Sequence, residues 1–282
     1  MIIDMHTHIF PEKISAAVID KLSHVSRTPA FTNGTLRGLQ RSMDIAGIDL
    51  SVILPVATNT SQVEKINDFA AKTNEKFFGE GIFSLGSIHP DFTNYRTELG
   101  RVKNFGLKGI KIHPVYQDTN LDDIKFLHIL DRAAELDLIV VTHAGLDIGY
   151  PGVVRCSPQM IRRVVDTVGD FKFVAAHMGG WKNWSDVLKI LGDTKIFIDT
   201  AFSTDKIIPR SDCVWNADDL QLLSAAQFMK FVEVFGADRI LFGTDSPWSD
   251  QSASLKFIDA LPLADDDRKK ILGLNAKCLL EL

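Results

Sequence analysis

Near the start of the chain, Asp4, His6 and His8 alternate with Ile3, Met5 and Thr7. Side chains alternate faces along an extended strand, so the spacing predicts that Asp4, His6 and His8 point one way and Ile3, Met5 and Thr7 the other. Two imidazoles then project side by side from a strand end, where one divalent ion can bridge them, because imidazole nitrogen is the usual protein ligand for zinc and related ions. A His-x-His pair by itself equally suits two partly buried histidines satisfied by backbone carbonyls. What separates the two readings is where the other polar residues fall.

The elements that must position them are short apolar runs alternating with segments of helical period. After the first strand, runs at Ser51–Val56, Gly81–Ile88, Leu107–His113, Leu138–His143, Phe173–His177, Lys195–Asp199 and Arg239–Asp245 read as strands. Helices are expected near 16–24, 35–46, 61–77, 93–105, 122–136, 158–168, 183–191 and 218–235; in the second of these Leu36, Leu39, Met43 and Ala46 form an apolar stripe ended by Gly47. Strands separated by helices pair in parallel, and eight such units suit a closed (β/α)8 TIM barrel of the α/β class, with residues 1–282 as one domain. An open doubly wound sheet fits less well, because a histidine pair stands where its glycine-rich phosphate turn should follow the first strand.

Composition limits the partners. The 282 residues are 45% hydrophobic and 24% charged, with a formal net charge of -5, which describes a globular chain with a large core and no basic footprint for nucleic acid or an anionic membrane. A small-molecule substrate is expected, and a homodimer is compatible with this composition. Cys156, Cys213 and Cys278 are widely spaced and odd in number, so neither a disulfide framework nor a thiolate zinc site is indicated, and with no export signal or membrane span evident the expected compartment is the cytoplasm.

On a barrel, the polar residues that end strands meet at one rim, the C-terminal face that carries active sites. His6 and His8, Lys111 and His113, His143, His177 and Asp245 all fall there. Any one of them could cap or pack; together they indicate a site. The motifs Asp4-x-His6-x-His8, Thr142-His143-Ala144-Gly145, Ala176-His177-Met178-Gly179-Gly180 and Phe242-Gly243-Thr244-Asp245-Ser246-Pro247 resemble the amidohydrolase superfamily, in the amidohydrolase-related branch that includes aminocarboxymuconate-semialdehyde decarboxylase. The resemblance runs from the first strand to the eighth. It implies that His6, His8, His143 and Asp245 ligate one divalent metal ion, zinc ahead of manganese, and that His177 is a catalytic group beside it.

The chemistry of that set is coherent. Three imidazoles and one carboxylate leave room for water, the ion lowers the water's pKa, and Asp245 can take its proton while His177 polarises the substrate. Lys111 and His113 share the inward face of their strand. In two-metal members of the superfamily a lysine at this place is carboxylated; the run Gly109-Ile110-Lys111-Ile112-His113-Pro114 instead resembles the single-metal branch, and Lys111 is expected to offer its cation to a substrate carboxylate or to Asp4. Arg155, Trp181 and Trp248, with Lys206, Arg210 and Trp215 of the insertion from Ala201 to Ala217, are the rim residues suited to a planar or carboxylated molecule. The expected activity is metal-dependent hydrolysis through an activated water. The alternative is non-oxidative decarboxylation by the same ion, and a non-catalytic metal- or metabolite-binding barrel ranks third because no element of the site is missing.

Overall fold

The computed structural model describes residues 1–282. Its strands are β1 (Ile3–Thr7), β2 (Leu50–Ile53), β3 (Ile82–Ser84), β4 (Gly86–Ser87), β5 (Gly109–Ile112), β6 (Ile139–Thr142), β7 (Phe173–Ala175), β8 (Phe197–Asp199) and β9 (Ile240–Leu241), paired in parallel in the orders β1-β2-β3 and β4-β5-β6-β7-β8-β9. The third expected strand is present in two pieces: it breaks at Leu85, whose N–H donates to the Ile53 carbonyl at 3.0 Å. The last strand returns to the first without a continuous ladder. Met5 N–H donates to the Phe242 carbonyl at 2.9 Å and Asp245 N–H to the His6 carbonyl at 2.8 Å, and a parallel bridge joins Thr7 to Ser246. The architecture is a (β/α)8 barrel.

Two apolar layers follow from the strand alternation. Ile3, Met5, Leu50, Val52, Phe83, Val141, Val174 and Leu241 pack with Ala276, Leu279 and Leu280 of the last helix in one cluster, the barrel interior and its lower plug. Ile110, Ile112, Val140, Phe173, Ile198 and Ile240 belong to the larger cluster with helix residues such as Leu39, Phe126 and Phe228, the layer between strands and helices. Lys111 therefore faces inward, as its spacing predicts.

β1 departs from simple alternation. Asp4 pairs with Ser51 and Thr7 with Ile53, so β1 uses one residue more than β2 over the same stretch, a bulge. Its consequence is that Asp4 and His6 do not share a surrounding. Asp4 turns toward the helix layer, where its carboxylate accepts from Thr244 N–H (3.0 Å), Thr244 Oγ1 (2.6 Å) and Gln251 Nε2 (2.7 Å), while Met5 stays in the interior cluster and His6 is re-aimed at the barrel's upper end. The expectation that Asp4, His6 and His8 project together fails at Asp4, because a period of two does not survive an inserted residue.

The helices carry their own start and stop signals. Thr35 caps Leu36–Ala46 by accepting from Gly38 N–H, and Gly47 ends it in the left-handed conformation; Ser157 caps Pro158–Val168, which opens on proline. The helix expected over 218–235 covers only Ala225–Phe235: Ser224 and Gln227 form a capping box there, and residues 217–220 are a turn. All three cysteines are free, and no helix is long and apolar enough to cross a membrane.

Candidate metal centre and active site

His6 and His8 leave β1 toward Asp245, which follows β9. His8 Nε2 lies 2.9 Å and His6 Nε2 3.4 Å from Asp245 Oδ1. The opposite ring nitrogens determine what those atoms can do. His8 Nδ1 is 2.8 Å from the Leu54 carbonyl and His6 Nδ1 is 2.8 Å from Asp199 Oδ2, and both partners only accept, so both Nδ1 atoms carry the proton. In the neutral His6 ring, Nε2 then keeps its lone pair. Burial and the nearby Lys111 push the pKa of His6 well below the usual value, against the pull of Asp245. Burial raises the Asp245 carboxyl, but the surrounding His6, His8 and His177 outweigh it and hold the group at about 2. Two imidazole Nε2 atoms thus lie 2.9 and 3.4 Å from one oxygen of an ionised carboxylate. Donors about 2.1 Å from one ion stand roughly 3.0–3.4 Å apart in octahedral or tetrahedral shells. The residues fit a divalent ion, and their outer nitrogens are already held as metal-ligating histidines require.

Lys111 completes this side. Fully buried, its Nζ lies 3.3 Å from His6 Nε2. Burial brings its pKa down to about 8, against the pull of Asp199 and Asp245. The expected pairing with Asp4 does not occur, since Asp4, in register with Ser51 and between the interior Ile3 and Met5, faces the helix layer.

His143 and His177 meet each other. His177 Nδ1 is 2.9 Å from the Ala201 carbonyl and so donates, leaving Nε2 to accept from His143 Nδ1 at 3.0 Å. His143 Nε2 is consequently unprotonated, and it is buried with no hydrogen-bond partner. His6, His8 and Asp245 place ligand atoms within 4.8 Å of one another; His143 instead groups with His113 and Asp147, so three of the four expected ligands are gathered and the fourth stands beside His177 with a free lone pair. His177, Met178 and Asp245 all have positive φ, at 60°, 55° and 70°. Such conformations cost non-glycine residues about 1–3 kcal/mol each and persist where surrounding contacts enforce them, commonly at active sites.

His113 is stacked between Tyr116 (3.8 Å between centroids) and His143 (4.1 Å), and its Nε2 is 3.5 Å from Asp147 Oδ2. Gln117 clamps this loop, accepting from His113 N–H at 2.9 Å and donating to the Ala57 and Ile88 carbonyls at 2.8 and 2.6 Å. Trp181 is buried against Phe202 and Trp215, both at 5.9 Å, and its loop sits directly on Gly145, where a Cβ would fall 2.2 Å from Trp181 N. Trp215 reaches back to the Ile148 carbonyl at 3.1 Å, so the 201–217 insertion lies over the loop after β6. Trp248 is half-buried next to Asp245, whose carbonyl accepts its N–H at 2.8 Å. Arg155 is not a free rim cation: it bonds Asp118 and Asn120.

Sequence reasoning missed Asp199, Asp147, Tyr116 and Gln117. Asp199 had a signal, an acid ending an apolar strand two residues after Phe197 and hence on its inward face. The others lie in loops, where spacing carries no such information.

Solved structures with the same fold include a TIM-barrel protein from Bordetella bronchiseptica (TM-score 0.72, 18% identity, covering 99% of this chain and 98% of that one) and 2,6-dihydroxybenzoate decarboxylase from Rhizobium (0.69, 16%, 99% and 98%). A third is a dihydroxybenzoic acid decarboxylase from Polaromonas with bound manganese and the inhibitor 2-nitroresorcinol (TM-score 0.68, 17% identity, covering 100% of this chain and 97% of that one). No curated protein matches the sequence. The amidohydrolase family model matches residues 3–282, and with its strand-end histidines and aspartate on the barrel rim the chain belongs to the amidohydrolase family.

Proposed function

We propose that this protein is a divalent-metal-dependent, non-oxidative decarboxylase of a hydroxylated aromatic carboxylic acid. The observation that carries the reading is the convergence of His8 Nε2 and His6 Nε2 on one Asp245 oxygen, at 2.9 and 3.4 Å, beside the buried Lys111 ammonium. It supports a centre that holds one cation and accepts an anionic, planar molecule. Support for decarboxylation over hydrolysis comes from the similarly folded enzymes, which act on 2,6-dihydroxybenzoate and related acids. On that ground the decarboxylase alternative stands ahead of the hydrolase reading.

His6, His8 and Asp245 would hold the ion, one per chain and zinc ahead of manganese, with His143 Nε2, which has no hydrogen-bond partner, as the further ligand while its Nδ1 stays on His177. The ion would supply a positive centre for the substrate carboxylate and a neighbouring oxygen. Lys111 gives the carboxylate a second cation, and His113, Trp181 and Trp248 line the ring's place. As carbon dioxide leaves, the electrons of the broken carbon–carbon bond take up a proton at the ring carbon. The His143–His177 pair, with one proton between Nδ1 and Nε2, is the chain's means of moving it. We assign the protein to the cytoplasm on its three free cysteines.

The test is to load the protein with zinc or manganese and assay it against 2,6-dihydroxybenzoate, 5-carboxyvanillate and a panel of aryl lactones. Carbon dioxide release from an aromatic acid is the expected result. Lactone opening with no carbon dioxide from any acid would return the assignment to hydrolysis.

A further inference from the structure

Asp199 is fully buried and joins the two halves of the site. One carboxylate oxygen, Oδ2, lies 2.8 Å from His6 Nδ1. The other, Oδ1, accepts two backbone N–H groups, from His177 at 2.9 Å and from Ala201 at 3.1 Å. Ala201 in turn supplies the carbonyl that orients the His177 ring, and His177 sits at φ 60°, a conformation that its N–H bond to Asp199 helps to enforce. A single side chain therefore touches a candidate ligand through one oxygen and the backbone of the candidate proton carrier through the other.

We infer that Asp199 is the positioning residue that sets the tautomer of His6, keeping the proton on Nδ1 so that Nε2 presents its lone pair to the metal, while its second oxygen locks the backbone of His177. The inference rests on the metal-site reading for His6. Its logic is acceptor geometry: an ionised carboxylate cannot donate, so the Nδ1 facing it must, and the lone pair is left on the nitrogen that faces Asp245. In the metal-free protein the same unprotonated Nε2 accepts from the Lys111 ammonium at 3.3 Å, a contact that metal binding would displace.

Asp199→Asn is an informative test because the amide has only one way to fit. The His177 and Ala201 N–H groups both require an acceptor, so the carbonyl oxygen must face them and the NH2 must face His6. The NH2 donates to Nδ1 and drives the His6 proton to Nε2, which removes the lone pair from the metal side. The fold, followed by circular dichroism and thermal unfolding, is expected to persist, as the two backbone bonds remain. Zinc affinity, measured by chelator competition, is expected to fall about 10- to 100-fold, the usual effect of losing an outer partner of a ligating histidine. Long-range ¹⁵N–¹H correlation on ¹⁵N-histidine-labelled protein reads the tautomer directly, and His6 is expected to carry its proton on Nδ1 in the metal-free wild type and on Nε2 in the variant.

A wild-type His6 with its proton on Nε2 would overturn the inference without any substitution, so a variant that fails to fold leaves it decided. An Asp199→Asn protein with unchanged tautomer and unchanged zinc affinity would overturn it as well. Wild-type protein that binds neither zinc nor manganese would instead sink the metal-site reading, while the tautomer measurement would still decide the role of Asp199.

Discussion

Of three clusters of two histidines and an aspartate at the top of the barrel, two that share no residue behave in opposite ways. His6, His8 and Asp245 form one; His113, His143 and Asp147 form the other. Both aspartates are buried, yet Asp245 is held at about 2, whereas Asp147 is pushed up to about 7. In each case burial raises the carboxyl. Asp245 has three histidines close enough to overcome that, with His8 Nε2 at 2.9 Å. Asp147 has a single backbone donor, Gly149 N–H at 2.7 Å, with His113 no nearer than 3.5 Å and the charge of Asp245 opposing it further. Two histidines and an aspartate therefore do not define a metal site by composition. The first cluster gathers an ionised carboxylate and two imidazole Nε2 atoms as a cation's ligands would stand; the second is a stacked wall, Tyr116 on His113 on His143, around an acid that burial keeps protonated up to about 7.

The contrast breaks most visibly at Asp245. Asp245→Asn keeps the shape and removes the charge, so metal content by elemental analysis should fall and kcat/KM should drop by about 10²- to 10⁴-fold even with excess metal. A metal-saturated variant running at the wild-type rate would remove Asp245 from the centre. His177→Asn tests the junction of the two clusters: about 10²-fold loss of turnover is expected with the ion retained, and loss of the ion would make His177 a ligand.

Asp147 tests the opposite electrostatics through stability. Its folded pKa lies above the ordinary value of 3.8, so between about 4 and 7 the folded state binds the extra proton and stability declines as pH rises through that window. Asp147→Asn should therefore stabilise the protein at pH 8 and leave it little changed at pH 4, by a difference on the order of a few kcal/mol. Asp4, raised to about 6 by burial, contributes with the same sign, so the measurement that matters is the difference between wild-type and variant urea unfolding curves across pH. An unchanged difference at pH 4 and pH 8 would show that Asp147 is ionised like Asp245. The smallest effect belongs to the rim, where Arg155→Ala should change stability by no more than about 0.5 kcal/mol and leave KM near wild type, because its partners are the exposed Asp118 and Asn120. A tenfold rise in KM would restore Arg155 to substrate binding.

Much of this molecule follows from local patterns. Apolar runs of strand length separated by helical stripes specify eight parallel units, and because the ends of such strands share one rim, His6, His8, Lys111, His113, His143, His177 and Asp245 could be brought together before any coordinates. Capping signals at Thr35, Ser157 and Ser224 are equally local, and Ser224 with Gln227 marks the start at Ala225 of the helix expected from 218. What sequence could not determine depends on partners distant along the chain. The bulge in β1 arises from register against β2, 47 residues away, and beyond it His6 parts from Asp4 and meets Asp199. Whether an aspartate ends ionised or neutral depends on how many donors from other strands reach it, and hydrogen-bond geometry assigns each ring proton, as Asp199 does for His6 across 193 positions of sequence. Periodicity is a property of neighbours, so it places side chains on a face; charge state and tautomer are properties of a surrounding, and the surrounding exists only once the barrel has closed.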